Sequence, residues 1–461
     1  MEAARRGAGG PADRVTSRLF GTDGVRGRAG DYPLDHETVA RIGGALVRVL
    51  ASGDPAPRRF IVGRDTRESG DWIARELARG VRSQGAQMVS AGVIPTPAIA
   101  YVTRALAFDA GLVISASHNP FEDNGIKVFS GLGEKFSEAL EREVEAIVAD
   151  RSWSVEGSAD EPVPAADVAD AYVGHTLRAF PEPQRLGRFR IVVDTANGAT
   201  TTVAPRLFRD FGYEVELIGA QPDGRNINLE SGSTHPESMS AMVRAKGCRM
   251  GVAFDGDGDR AIFADADGAI VDGDAVLLMC ARQMKRQERL RGDAVVATVM
   301  SNIGLELALR ESGISLIRTA VGDKYVMEEM LKRGLSLGGE QSGHIIFSDH
   351  LFTGDGLATA LNVLRVVADT GRELKDLAGQ LVTYPQVLMN VRVRERKDLS
   401  TVPEVADAMK RVEERLSGQG RLLVRYSGTE PLLRIMIEGQ DQREIQQWAG
   451  EIAEVVKKTL G

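Results

Sequence analysis

The sequence predicts an α/β protein: three similar α/β domains with mixed, mostly parallel sheets, then a smaller α+β C-terminal domain. Three observations point there. At 461 residues the chain exceeds what one compact core holds and fits roughly three or four units. Three segments share one layout of apolar strand, polar or Gly-bearing loop, helix-period stretch, Gly and second strand. They are "RRFIVGRDTRESGDWIARELARGVRSQGAQMVSAG" from Arg58, "FRIVVDTANGATTTVAPRLFRDFGYEVELIG" from Phe189 and "DAVVATVMSNIGLELALRESGISLIRTAVGD" from Asp293. The last part of the chain departs from that layout. There "VLMNVRVRER", a helix near Val402 to Leu416, "GRLLVRYSG", "LLRIMIEG" and a final helix near Asp441 to Leu460 give the order β-α-β-β-α.

Strands that alternate with helices imply parallel layers, with site-forming loops at the carboxyl ends of the strands. Pro-containing joints at "EPVPAAD" and "TYPQV", together with the "FADADGAIVDGD" turn region, divide the chain. The expected units are a disordered tail over 1–14 and domains over 15–165, 166–264, 265–384 and 385–461.

Composition removes several function classes. Apolar residues make up 43% and charged residues 26%, and 51 glycines against 17 prolines fit many strand-to-helix loops. The net charge of −8, with no dense Lys/Arg block, argues against nucleic acid or an anionic membrane as partner. Cys248 and Cys280 form no CxxC pair, which argues against a disulfide framework or thiolate zinc site and for a reducing compartment. The N-terminal "MEAARRGAGGPADR" lacks a signal-like apolar stretch, and no run approaches about 18 apolar residues, so a cytoplasmic protein is expected.

In the first domain, "GLVISASHNPFEDNGIKVF" over 111–129 opens as a buried strand and continues as a polar loop. Ser117 is the candidate nucleophile. A serine hydroxyl is weak until a base or metal activates it, or until it is carried as phosphoserine, whose oxygens are strong metal ligands. Adjacent side chains on extended backbone point to opposite faces, so His118 is expected to relay poorly from Ser117 and Lys127 to be the better acid/base group. A hydroxyl-capped Asn/Pro/Gly turn is the plainer reading of "SHNP" alone.

The second domain holds "GVAFDGDGDRAIF", where Asp255, Asp257 and Asp259 recur at spacing two behind an apolar strand. On extended backbone they share one face, about 6 to 7 Å apart, and three such charges repel unless a hard divalent cation, Mg²⁺ first, compensates. A calcium loop of the EF-hand type needs Gly and Glu where this chain has Arg260 and Ala266. A solvated acidic turn is the remaining alternative.

In the third domain, "SLGGEQSGHIIF" over 336–347 pairs glycines that let backbone approach a ligand. Alternation is expected to set Glu340, Ser342 and His344 on one side, able to bond adjacent hydroxyl or amino groups. In the fourth, "RYSGTEPLLR" over 425–434 offers the guanidiniums of Arg425 and Arg434, the hydroxyls of Ser427 and Thr429 and backbone amides around Gly428, a set suited to a phosphate monoester.

These four loops, one per domain and in this order, resemble the α-D-phosphohexomutase superfamily from about Ser17 to Leu460. "RLFGTDGVRG" at 18–27 and "GGEQSGH" at 338–344 are similar to its aminosugar-phosphate branch. The resemblance implies that Ser117 is carried as phosphoserine and that Asp255, Asp257 and Asp259 hold one Mg²⁺ per chain together with a phosphoserine oxygen. It implies that Glu340 and Ser342 read the sugar, that Gly322 of "AVGDKY" lies in a neighbouring substrate loop, and that the 425–434 loop grips the phosphate not being transferred. Arg26, His118, Lys127, Arg260 and His344 fall on positions similar to the family's proton-transfer and charge-stabilising groups, with the base left open.

The implied reaction interconverts D-glucosamine 6-phosphate and α-D-glucosamine 1-phosphate, with glucosamine 1,6-bisphosphate as intermediate or primer, and feeds amino-sugar nucleotide and cell-wall precursor synthesis. The implied partner is the small hexosamine phosphate; a homodimer stays open. Water must be kept from a phosphoserine, so the fourth domain is expected to close as a lid. Thr195 and Ser231 stand where related chains often carry Cys, and neither position needs a thiol for this chemistry. A mutase preferring mannose or glucose phosphates is the same-class alternative. A Mg²⁺-dependent phosphatase with Asp255 as nucleophile is the other, because "FDGDGDR" is partly similar to the haloacid dehalogenase pattern, although that pattern wants Thr or Val where this chain has Asp259.

Overall fold

The computed structural model describes residues 18–21, 23–51, 58–427 and 431–461. The expected tail over 1–14 and two expected phosphate-binding residues, Gly428 and Thr429, lie outside the described residues.

The first sheet comprises β1 (Phe20–Gly21), β2 (Gly24–Arg28), β3 (Arg59–Arg64), β4 (Gln87–Val93), β5 (Ala110–Ile114) and β6 (Asp123–Ser130), in the order β1-β2-β6-β5-β3-β4. Strands β3, β4 and β5 run parallel, and β6 returns antiparallel to β5. The second contains β7 (Arg190–Asp194), β8 (Glu214–Ile218), β9 (Met250–Phe254), β10 (Ala261–Asp265) and β11 (Ile270–Val271), ordered β11-β10-β9-β7-β8. Again β7, β8 and β9 are parallel and β10 turns back antiparallel on β9. The third, β12 (Ala294–Thr298), β13 (Ser315–Thr319), β14 (Leu337–Gly339) and β15 (Ile345–Phe347), repeats the device: a parallel set ending in an antiparallel return from β14 to β15. The fourth is a fully antiparallel sheet of β16 (Gln386–Arg392), β17 (Arg421–Tyr426) and β18 (Leu432–Glu438) in the order β16-β18-β17, backed by helices Pro403–Leu416 and Gln442–Leu460.

Burial explains why the central strands read as continuous apolar runs. Every residue of β5 is buried; Ala110, Leu112 and Ile114 enter the first domain's own core, while Val113 enters a second one on the opposite face. That second core is shared. It joins Val113 and Phe129 to Ile191, Val193 and Phe254 of the second domain and to Val295 and Leu361 of the third. The fourth domain instead closes a core of its own around Val391, Val412, Ile435 and Ile452. The first three domains therefore meet through close-packed apolar contact, and the fourth attaches through a polar joint. In that joint Arg421 donates to the Val299 carbonyl at 2.8 Å and the Ile303 amide donates to Glu438 at 3.1 Å, while Asn302 Nδ2 holds the end of the third domain by donating to the Tyr384 carbonyl at 2.9 Å. Among the described residues, no helix is long and apolar enough to cross a membrane.

Candidate active site

Each of the first three site loops connects the last parallel strand of its sheet to the antiparallel return strand: β5 to β6, β9 to β10, β14 to β15. The shared core brings these three hairpin loops together at the carboxyl ends of the strands.

Ser117 follows β5 with φ +51°, in the left-handed region. Its amide donates to Ser115 Oγ at 2.9 Å, and its own Oγ donates to Asp255 Oδ2 at 2.5 Å, across 138 residues of sequence. The expectation that His118 points away from Ser117 is corrected here: its Nδ1 lies 3.3 Å from Ser117 Oγ, because the left-handed turn breaks the alternation of an extended strand. His118 is exposed on the loop between β5 and β6, with its ring turned back toward Ser117. Desolvation there, with the guanidiniums of Arg260 and Arg26, lowers its imidazole to about 4, so the ring is neutral near pH 7.

The three aspartates also depart from the extended arrangement. They occupy the turn between β9 and β10, not a strand, so their carboxylates converge instead of lining up along one face. One oxygen of each lies within 4.8 Å of the others. Glycine is required in this turn: Gly258 has φ +73°, and a Cβ on Gly256 would stand 2.6 Å from the Ser117 carbonyl.

Lys127, on β6 and 2% exposed, is the counterion of the cluster. Its Nζ lies 2.8 Å from Asp257 Oδ2, 3.0 Å from Asp259 Oδ2 and 3.0 Å from Asp23 Oδ2. Burial works against its charge, but these three carboxylates outweigh it and hold the ammonium well above its ordinary value. Asp255 goes the other way: burial first, then the Asp259 and Asp257 charges, push its carboxyl well up.

A metal ion fits this donor set. Asp257 Oδ1 and Asp259 Oδ1 are buried without a hydrogen-bond partner, while Lys127 engages only the opposite oxygens. Among the described residues no other cluster of three His, Cys, Asp or Glu side chains comes together in this way, and all-carboxylate donors select a hard divalent cation.

The charges continue into the third domain. Lys135 bridges Asp23, at 2.6 Å, and Asp323; Asp323 Oδ2 lies 3.4 Å from His344 Nε2; and His344 Nδ1 lies 3.6 Å from Asp259 Oδ1. Lys127 then closes a ring drawn from three domains. Desolvation disfavours the His344 cation, yet Asp259 and Asp323 raise the imidazole above its ordinary value, while the Gly354 amide, donating to Nε2 at 3.0 Å, opposes full protonation. Arg26 is anchored by Asp23 at 2.5 Å. Arg260, whose amide donates to Asp255 Oδ1 at 3.1 Å, is kept cationic against burial by Asp259, Asp255 and Glu340.

Glu340, Ser342 and His344 do not share one side. They sit in the tight turn between β14 and β15, where alternation does not apply: Ser342 is exposed, His344 is buried, and Glu340 Oε1 accepts from the Gly322 amide at 3.2 Å. That bond ties Gly322 and Glu340 into one corner of the third domain. In the fourth domain Arg425 and Arg434 are direct cross-strand partners, an arrangement suited to an anion both can reach. Arg396 donates to the Ser427 carbonyl at 2.6 Å. Among the described residues, no hydrogen bond or ion pair links this hairpin to the Ser117 cluster.

Several functional-site residues were not singled out in the sequence. Buried Arg67 donates to the carbonyls of Ser117, Asn119 and Asp123 at 3.0, 2.8 and 3.0 Å, and also to Pro120; Asn228 Nδ2 reaches the Ser117 carbonyl at 2.9 Å. Thr96 Oγ1 donates to Asp257 Oδ2 at 2.5 Å. The available signal, for Arg67, was "GRDTR" over 63–67, which runs off the carboxyl end of the apolar strand β3 as a charged cluster.

Comparison with known proteins agrees at every domain. Family models described as phosphoglucomutase/phosphomannomutase alpha/beta/alpha domains I, II and III match residues 17–154, 170–268 and 272–384, and the C-terminal domain model matches 388–455. The chain is 46% identical over 451 residues to the phosphoglucosamine mutase of Syntrophotalea carbinolica, covering 97% of this chain and 99% of that protein. It is 48% identical over 448 residues to that of Geobacter sp. (strain M21), covering 96% and 98%. The crystal structure of a phosphoglucomutase/phosphomannomutase family protein from Burkholderia thailandensis superposes with a TM-score of 0.78 at 25% identity, covering 96% of this chain and 97% of that one. With all four domains matched in order and near-half identity along almost the whole length, the chain belongs to the phosphoglucosamine mutase family of the α-D-phosphohexomutase superfamily.

Proposed function

We propose that this enzyme interconverts D-glucosamine 6-phosphate and α-D-glucosamine 1-phosphate by relaying phosphoryl through Ser117. The observation that carries this reading is the 2.5 Å bond from Ser117 Oγ to Asp255 Oδ2, on a left-handed residue that turns the hydroxyl toward the acidic cluster. O6 and O1 of one hexose are too far apart for direct in-line exchange, so a protein group must take the phosphoryl in one orientation and return it in the other. Phosphorylated Ser117 gives its phosphoryl to the free sugar hydroxyl: the bond from phosphorus to the serine oxygen breaks as that to the sugar oxygen forms. The 1,6-bisphosphate turns within the cleft, and its other phosphoryl returns to Ser117.

Asp255, Asp257 and Asp259, with a phosphoserine oxygen, are the residues that would hold Mg²⁺, which when bound supplies neutralisation of phosphoryl-oxygen charge. Arg260 and Lys127 stabilise the negative charge spread over those oxygens. Lys127, held cationic by three carboxylates, is not free to accept a proton. When Ser117 is the phosphoryl acceptor, its hydroxyl turns from Asp255 to neutral His118, 3.3 Å away, which takes its proton. His344, next to Asp259 and Asp323, takes the proton that the sugar hydroxyl releases as its oxygen bonds to phosphorus, and Arg26 adds positive charge beside Asp23.

Glu340, with Gly322 and Ser342 beside it, sets the anion that favours a C2 ammonium over a hydroxyl. Arg425, Ser427 and Arg434 grip the phosphate not being transferred, with the fourth domain closing over it. The test compares turnover of glucosamine 1-phosphate, glucose 1-phosphate and mannose 1-phosphate by wild type and Ser117→Ala, with intact-mass and peptide mapping for phosphate on Ser117. The aminosugar is expected to be preferred and the variant to lose most turnover. Preference for a neutral sugar overturns the Glu340 assignment, and unchanged turnover by Ser117→Ala overturns the relay.

A further inference from the structure

We propose that the third domain carries a second binding site, apart from the Ser117 cleft, for a small aromatic phosphate monoester. The site is a cavity of about 360 Å³ at the C-terminal end of the Gly273–Arg286 helix, walled by the residues ahead of β13 and by the Leu374–Ala378 helix. That volume is within the usual range for small-molecule pockets, about 300–1,000 Å³. Its floor is apolar, made by buried Met279, Ile314 and Leu377.

Around that floor stand Arg282, Arg286 and Arg372, and no acidic side chain lines the cavity. Their hydrogen bonds go to neutral acceptors. Arg282 donates to Ser312 Oγ at 2.8 Å, Gln380 Oε1 at 2.6 Å and the Ala308 carbonyl at 3.0 Å; Arg286 donates to Gln283 Oε1 at 2.6 Å, and Arg372 to the Asp376 carbonyl at 2.8 Å. These contacts orient the guanidiniums without neutralising them. The remaining cation of the lining, Lys285, is paired with Asp293 at 3.3 Å. Desolvation draws Arg282 below its ordinary value; Glu311 opposes this, and repulsion from Arg286 and Arg372 adds to it.

In a chain of net charge −8, three oriented guanidiniums with no carboxylate in ion-pair contact, set around an apolar floor, are matched by a dianion with a flat apolar body. Guanidinium forks take phosphate oxygens bidentately, and their planes and the floor accept a ring. A neutral ring leaves the charges unmet, and an inorganic anion leaves the floor wet.

The cavity is remote from the cleft. Gly273, at the other end of the helix, donates to the Gln341 carbonyl at 2.9 Å, and Asp272 accepts from Gln341 Nε2 at 3.0 Å, both in the sugar loop. A helix of 14 residues spans about 20 Å, so substrate and this ligand do not compete for space.

The test is isothermal titration of the full-length protein with 1-naphthyl phosphate, with saturating glucosamine 6-phosphate present to fill the cleft. One saturable site per chain is expected, with inorganic phosphate at least about tenfold weaker. Arg282→Gln and Arg372→Gln should each weaken 1-naphthyl phosphate about tenfold, the loss of one charge-assisted contact. Arg372 is exposed, so its replacement spares the fold, which circular dichroism checks. No saturable heat, inorganic phosphate binding as tightly as the naphthyl ester, or Arg372→Gln binding like wild type overturns the assignment.

Discussion

Arg67 Nη2 donates to the Ser117 carbonyl at 3.0 Å, so a fully buried guanidinium holds the backbone of the residue proposed to carry phosphate. Asp65 pairs with the same Arg67 at 2.9 Å and accepts from Ser115 Oγ at 2.6 Å, which in turn accepts from the Ser117 amide. The serine loop is thus clamped from both ends by one ion pair. Removing Arg67 leaves the buried Asp65 carboxylate without its cationic partner and takes one donor from each of the four loop carbonyls it joins. Arg67→Ala is expected to cost on the order of 3–5 kcal/mol of stability and most of the turnover. Arg67→Lys should not rescue it, because one ammonium cannot span the carbonyls a guanidinium reaches. Thermal unfolding and steady-state kinetics read both; wild-type turnover in Arg67→Lys would show that the loop holds itself.

His118 should act without a titration in the neutral range. With its imidazole lowered to about 4, the ring is deprotonated above that pH and protonates only as pH falls through it. The kcat/KM profile is therefore expected to show no His118 limb between about pH 6 and 8, and His118→Asn should lower kcat by about 10²–10⁴-fold. A limb near pH 6.5 that vanishes in His118→Asn would place the imidazole at its ordinary value instead.

Chelation with EDTA is expected to abolish turnover, and added Mg²⁺ to restore it. Asp257→Asn should weaken the ion about 100-fold or more. Asp259→Asn should be worse, since Asp259 also faces Lys127 at 3.0 Å and His344 at 3.6 Å. Metal titrations of the two variants compare the losses; full turnover in EDTA would remove the metal from the mechanism.

Asp274 links stability to pH at the joint of the third and fourth domains. Its Oδ2 accepts from the Asn302 amide at 2.8 Å, its Oδ1 is buried without a hydrogen-bond partner, and Asn302 clasps Tyr384. Burial, opposed by the Asn302 amide, raises its carboxyl from 3.8 to about 7. The folded state thus holds this proton more tightly than the unfolded chain. Its stabilising contribution is full below about pH 4 and is lost as pH rises through about 7. Asp274→Asn should flatten that slope, with a melting temperature above wild type at pH 8 and near it at pH 4.5. Parallel slopes in the two proteins would rule Asp274 out as the titrating group.

Chain order and local chemistry were legible in the sequence. The strand-helix-strand repeats could be read because strands buried on both faces must be apolar throughout, as β5 is, and the terminal helices because one apolar stripe packs on a sheet. The aspartate cluster and Ser117 could be read because groups so costly to bury rarely follow an apolar strand without a task. Arg67, Thr96 and Asn228 escaped, since each acts on a residue between 50 and 161 positions away.

The sequence alone determined which side chains reach the ends of which strands, because that follows from local periodicity and turn chemistry. Tertiary structure decided where those side chains point. The left-handed backbone at Ser117 brought His118 to its hydroxyl, the β9–β10 turn made three carboxylates converge, and the core shared by three domains closed Lys127, Asp23, Lys135, Asp323, His344 and Asp259 into one ring. Such electrostatic arrangements depend on distances between segments far apart in the chain, and those distances exist only once the domains have packed.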